Sequence, residues 1–121
     1  MNARILYVDA SGRSWRSAQD ALADGYDVID VPPDELGARL TVQDYAAVLL
    51  DLDLDLITSQ GKALQAPIRV PRVPSPVVLV TRNARECSDD DLRQHGADCA
   101  ILKPATLAQV TLAITEWHLR R

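Results

Sequence analysis

Short apolar runs alternate along this chain with segments whose apolar residues recur at helical spacing. The apolar runs predict five strands, at residues 4–8 (followed by Asp9), 26–31, 46–50, 77–80 and 99–102. Helices are predicted over 14–23, from Pro32 through Leu40, over about 56–64, from Ser88 to about His95, and from about Thr106 to the end. Strands and helices in this order predict an α/β fold, a parallel sheet with helices on both faces.

The third apolar run ends in three aspartates spaced by two, Asp51, Asp53 and Asp55, in the stretch YAAVLLDLDLDL. The aspartates are either one polar face of a half-buried strand or carboxylates delivered to the tip of a buried one. The run before Asp51 is continuously apolar, as is typical of a strand covered on both faces. This favours the second interpretation, in which Asp51 ends the strand and Asp55 caps the helix that follows.

Composition narrows the class of protein. With 121 residues, 47% of them apolar and 25% charged, the chain is expected to form a single domain over 1–121. Phe is absent, so the core must be aliphatic, and the net charge of −4 weighs against direct nucleic-acid binding. Cys87 and Cys99 fit no common zinc or redox motif. No segment resembles a membrane span or a signal peptide, and a cytoplasmic location is expected.

Polar residues stand where most of the predicted strands end. Ligands of such sheets bind beyond the carboxyl ends of the strands, so Asp9, Asp51, Thr81 and Lys103 are expected to converge on one cleft. Two neighbouring carboxylates need a cation, and hard oxygen ligands favour Mg²⁺. The lysine and the hydroxyl suit an anionic group. A phosphoryl group attacked by an aspartate satisfies all of these residues.

Four stretches in order resemble the motifs of the response-regulator receiver domains of two-component signalling. ILYVDAS resembles their first strand, AAVLLDLDL the strand of the phosphoacceptor, PVVLVT the strand with the conserved hydroxyl, and GADCAILKP the strand before the lysine. The separations also agree, 30 residues from Asp51 to Thr81 and 22 from Thr81 to Lys103. In that family the bond between the lysine and the proline after it, here Pro104, is often cis.

The resemblance implies a fold and a set of roles. It implies a five-stranded parallel sheet in the order 2-1-3-4-5 (the flavodoxin-like receiver fold), with the first and last helices on one face. Asp51 would be the phosphoacceptor, assisted by Thr81 and Lys103. Mg²⁺ would be held by Asp9, Asp51 and the backbone carbonyl of Asp53. The chain would then be a signalling domain that transfers phosphate to itself at most, and not an enzyme.

The resemblance also implies partners. A histidine kinase or a phosphotransfer protein would supply the phosphoryl group. A homodimer could form through the fourth helix, the fifth strand and the fifth helix. No membrane partner and no direct nucleic-acid partner are expected.

Two departures from the family pattern affect these expectations. Ala10 stands where the family has the second acidic residue of the first-strand pair, which touches the metal, so Mg²⁺ binding should be weak or absent. Ala100 stands where the family has the aromatic residue that couples the site to the dimer face. Both changes support an alternative, a pseudo-receiver that docks without phosphorylation.

A more distant alternative is a small phosphatase. The stretch VLLDLDLDL resembles the first motif of haloacid-dehalogenase-like phosphatases, with Asp51 as nucleophile and Asp53 as general acid. Outside the candidate site, His95 and His118 are expected to face solvent near helix ends, and Trp15 and Trp117 to pack against the sheet.

Overall fold

The computed structural model describes residues 3–9, 15–32, 35–42, 45–51, 70, 73–82, 84 and 87–120. The strands of this part of the chain are β1 (Ala3–Asp9), β2 (Tyr26–Val31), β3 (Ala47–Asp51), β4 (Val77–Thr81) and β5 (Cys99–Leu102). The helices are α1 (Trp15–Leu22), α2 (Leu36–Val42), α3 (Asp89–His95) and α4 (Leu107–Leu119). The helix predicted over 56–64 and the capping role of Asp55 lie outside the described residues, so the predicted fourth and fifth helices are α3 and α4.

The sheet has the predicted architecture. All of its neighbouring strands are parallel, and their order is β2-β1-β3-β4-β5. The chain builds outward from β1 to β2 and then returns to the other side of β1 with β3. The order therefore reverses between β1 and β3, and in open α/β sheets ligands bind beyond the carboxyl ends of the strands at such a reversal.

The core consists of one apolar layer on each face of the sheet. One layer joins the strands to α1 and α4, and its buried helix residues are Ala18, Leu22, Val110 and Ala113. The other layer includes buried Leu36 of α2 and partly buried Leu92 of α3. The first and last helices thus share one face, as predicted. Both layers are filled almost entirely by aliphatic side chains, as the absence of Phe requires.

Local signals set the ends of α3 and α4. Ser88 caps α3 and forms the predicted capping box with Asp91, and Gly96 ends the helix with a left-handed φ of 72°. Thr106 forms a second capping box at the start of α4. None of these described helices is long and apolar enough to cross a bilayer.

His95, at the end of α3, was predicted to face solvent, and this prediction was wrong. Only 2% of the residue is exposed. Val70 lies against this end of the helix, and its amide donates a hydrogen bond to the His95 carbonyl at 3.0 Å. Val70 is 25 residues away along the chain, so a helical pattern around His95 could not reveal the contact.

Gly96→Ala should lower the free energy of unfolding by more than about 1 kcal/mol, because an L residue is strained at this positive φ. An added Cβ would also overlap the carbonyl oxygen of Val70. Gly37→Ala is the matched control, since a Cβ there meets nothing within 4 Å and lies in a helix. Urea unfolding followed by circular dichroism measures both variants. Equal stability of the two would contradict the expected effect.

Candidate functional site

Two buried carboxylates lie side by side at the centre of the sheet edge. Asp9 ends β1, Asp51 ends β3, and the two residues are direct partners in the strand register. Only 6% of Asp9 and 4% of Asp51 is exposed. Buried carboxylates at adjacent strand ends are costly unless donors or positive charges surround them. The surrounding donors therefore determine what this site can do.

Lys103 supplies a positive charge to Asp51. Its ammonium Nζ forms an ion pair with Asp51 Oδ1, and 20% of the lysine side chain is exposed against 2% of the aspartate side chain. The lysine follows β5, and its backbone N–H donates to the Thr81 carbonyl at 3.1 Å. Because β4 separates β3 from β5, the lysine side chain extends over the end of β4 to reach Asp51. The Lys103–Pro104 bond is cis, as the motif resemblance implied.

Thr81 completes the set of predicted residues at this edge. It is the last residue of β4 and is fully buried. It follows Val80, which is paired with Asp51 in the register of β3 and β4. Thr81 thus lies one residue beyond the register partner of Asp51, and its carbonyl accepts the hydrogen bond from the Lys103 backbone. The structure brings Asp9, Asp51, Thr81 and Lys103 to one end of the sheet, and their roles stay predictions.

Tyr7 is a member of the site that the sequence analysis missed. Its hydroxyl donates a hydrogen bond to Asp51 Oδ2, and only 2% of the residue is exposed. Tyr7 lies two residues before Asp9 and is paired with Leu49, which lies two residues before Asp51. The period of two therefore places Tyr7 on the same face of the sheet as both aspartates. A tyrosine in a buried strand needs a partner for its hydroxyl, and this signal could have identified it.

The two oxygens of the Asp51 carboxylate thus have different partners. Oδ1 contacts the Lys103 ammonium, and Oδ2 accepts a hydrogen bond from the Tyr7 hydroxyl. Burial raises the pKa of Tyr7 far above its ordinary value, and the hydrogen bond to Asp51 and the negative charges of Asp51 and Asp9 raise it further. The phenol is therefore held in its neutral form, in which it is a hydrogen-bond donor.

Among the described residues, Asp9 and Asp51 could hold a magnesium ion at this site. Asp9 and Asp51 provide hard oxygens, but the Asp51 oxygens already contact an ammonium and a phenol. Across the described residues, no group of three or more acidic, histidine or cysteine side chains is arranged to hold a metal. Ala10 and Asp53 lie outside the described residues, so the predicted carbonyl ligand of Asp53 is not tested.

The fold is that of solved receiver domains. The chain resembles a receiver domain from Methanospirillum hungatei at 19% identity and TM-score 0.63, over 100% of both chains. A Francisella response-regulator receiver domain matches at 15% identity and TM-score 0.63, over 96% of this chain and 99% of the other.

A third structure carries a metal ion. The receiver domain of a sensor histidine kinase from Pseudomonas aeruginosa matches at 19% identity and TM-score 0.64, over 97% of this chain and 98% of the other. That structure is described with a magnesium ion coordinated in its active-site cleft. No family model and no curated protein matches the sequence.

The raised pKa of Tyr7 predicts a loss of stability at alkaline pH. Below the ordinary tyrosine pKa of about 10, both folded and unfolded chains keep the proton and the stabilisation is complete. Above it the unfolded chain loses its proton first, so the free energy of unfolding falls as pH rises. Urea unfolding from about pH 8 to 10.5 should show a steeper fall for the wild type than for Tyr7→Phe. Parallel curves would contradict this expectation.

Proposed function

We propose that this chain is a receiver domain that accepts a phosphoryl group on Asp51 in two-component signalling. A histidine kinase or a phosphotransfer protein is the proposed donor. The observation that carries the proposal is the Asp51–Lys103 ion pair at the carboxyl end of a central strand, in a sheet of receiver topology. Thr81, at the end of the neighbouring strand, supplies the third chemical group that phosphoryl transfer to an aspartate uses.

The chemistry needs a carboxylate nucleophile and a cation. An Asp51 oxygen attacks phosphorus and forms a new P–O bond as an acyl phosphate, while the bond from phosphorus to the donor breaks and its electron pair leaves with the donor. Negative charge spreads over the phosphoryl oxygens as this happens. Lys103 would neutralise part of that charge from its present position, and the Thr81 hydroxyl would donate a hydrogen bond to another oxygen.

A divalent cation is proposed to contribute little. Its ligands would be Asp9, Asp51 and the backbone carbonyl of Asp53, and Ala10 removes the carboxylate that the resemblance assigns to direct contact. Each tenfold loss in rate corresponds to about 1.4 kcal/mol of lost transition-state stabilisation. A site that keeps its nucleophile, lysine and hydroxyl is therefore expected to react slowly.

A second candidate is a pseudo-receiver whose output does not depend on phosphorylation. It is supported by Ala10 and Ala100, and by the donors that already contact both oxygens of Asp51. In this case Asp51 would have a structural role through its contacts with Lys103 and Tyr7, and the surface of the domain would bind a partner without phosphorylation. The phosphatase alternative is retained as a third outcome of the same experiment.

Incubation with acetyl phosphate and Mg²⁺ should add one phosphoryl group to the protein, slowly, as measured by intact mass. Asp51→Asn should abolish the increment, because the amide is not a nucleophile for phosphorus. Asp27→Asn is the matched control, since Asp27 is exposed on β2 and away from the cleft, and it should react like the wild type.

The other outcomes identify the alternatives. No increment at high Mg²⁺ concentration, with the folded state verified by circular dichroism, would contradict the phosphoacceptor proposal and favour the pseudo-receiver. Continuous turnover of a generic phosphate ester without a stable adduct would favour the phosphatase.

Any dimer formed through the α3–β5–α4 face should be weak and should respond little to a phosphoryl mimic. Leu102, on the edge strand β5, is 41% exposed and offers apolar surface there. Ala100 has no ring to link this face to Thr81. Light scattering with and without beryllofluoride measures the effect, and Leu102→Asn should weaken any dimer that forms. A strong mimic-induced dimer would contradict the expected weak coupling.

A further inference from the structure

The side chain of Tyr7 combines an aromatic ring that packs in the apolar core with a polar hydroxyl. Its aromatic ring belongs to the cluster that includes Ile5, Leu22 and Leu49. A phenylalanine ring would fill the same space, so packing alone does not account for the hydroxyl. The hydroxyl instead reaches past Leu49 to Asp51 and donates to Oδ2. A hydrogen bond to a carboxylate is stronger than one between neutral groups.

Tyr7 and Lys103 together surround the Asp51 carboxylate. The Lys103 ammonium forms an ion pair with Oδ1, and the Tyr7 phenol donates a hydrogen bond to Oδ2. Only 2% of the aspartate side chain is exposed. A divalent cation at Asp51 would have to displace the phenol or share its oxygen, next to a positive charge. Mg²⁺ demands near-octahedral oxygen geometry and tolerates such crowding poorly.

We propose that Tyr7 is a positioning residue that holds Asp51 in competition with a divalent cation. The phenol stabilises the buried carboxylate through Oδ2, an oxygen whose negative charge a metal ion would otherwise compensate. The absence of a carboxylate at Ala10 and the phenol of Tyr7 then both lower the affinity of this site for a divalent cation. This inference rests on the proposed function for the role of Asp51, and its geometry is independent of phosphorylation.

The direction of the expected effect separates competition from structural support. If Tyr7 only supported the fold, removal of its hydroxyl would leave metal affinity unchanged or lower it. If the hydroxyl competes with the metal, its removal must raise the affinity. The raised affinity is therefore a result that loss of packing does not produce.

The test is calorimetric titration of Mg²⁺ and Mn²⁺ into the wild type and Tyr7→Phe. Tyr7→Phe should bind at least tenfold more tightly, which is about 1.4 kcal/mol. Tyr45→Phe is the matched control, because Tyr45 is also buried (7% exposed) but lies in the layer on the other face of the sheet. It should leave the affinity unchanged. Adding Asp51→Asn to Tyr7→Phe should remove the gain, which places the gained binding at Asp51.

Circular dichroism and thermal melting verify that each variant is folded, and Tyr7→Met serves as a second variant without the hydroxyl if Tyr7→Phe does not fold. Unchanged or weaker binding by the folded variant would overturn the inference. Micromolar binding by the wild type would also overturn it. The acetyl phosphate assay is separate, so failure of Asp51 to accept phosphate would remove the proposed function while the competition at Asp51 is still measured.

Discussion

The burial of the Asp51 carboxylate is the constraint on which the rest of this site depends. A buried charge is costly unless a charge and hydrogen bonds compensate it. Asp51 meets this requirement with Lys103 from the end of β5 and Tyr7 from the middle of β1. The two contacts join three strands of the sheet at one end, and the lysine side chain extends over β4 where Thr81 ends it. Lys103 and Tyr7 thus compensate this one buried carboxylate from both of its oxygens.

Much of the fold could be predicted because its signals are local. The continuous apolar run before Asp51 specified a strand covered on both faces, and the structure has β3 fully buried there. Ser88, Asp91 and Gly96 specified both ends of α3 through cap geometry that needs only a few neighbouring residues. The order of the strands came from the motif resemblance, and alternation alone specified only a parallel sheet. The meeting of strand ends then followed from the topology, because the carboxyl ends of parallel strands share one edge.

The parts that could not be predicted depend on contacts between distant segments. Tyr7 was counted as an apolar strand residue. A buried tyrosine needs a partner for its hydroxyl, but no local pattern indicates that the acceptor is Asp51, 44 residues away along the chain. His95 was placed in solvent because Val70, which lies against the end of α3, belongs to a proline-rich connection with no helical or strand pattern. In both cases the contact joins segments that are distant along the chain, and periodicity cannot pair them. The register between β1 and β3 brings Tyr7 close to Asp51, and this register can be read only from the assembled sheet.

The physical cost of the Asp51 network bears on which function it supports. A fold alone does not specify a function, and many activities share one α/β architecture. Buried ion pairs are poor stabilisers, because well-packed apolar residues of similar volume often stabilise a protein as well or better. If this end of the sheet needed only to be stable, β3 could have ended with an aliphatic residue, as β2 ends with buried Val31. β3 instead ends with a carboxylate that contacts a lysine and a phenol. In such a set the carboxylate can act as a nucleophile, and the lysine and the phenol can compensate charge around it. This cost supports the proposed chemical role of Asp51.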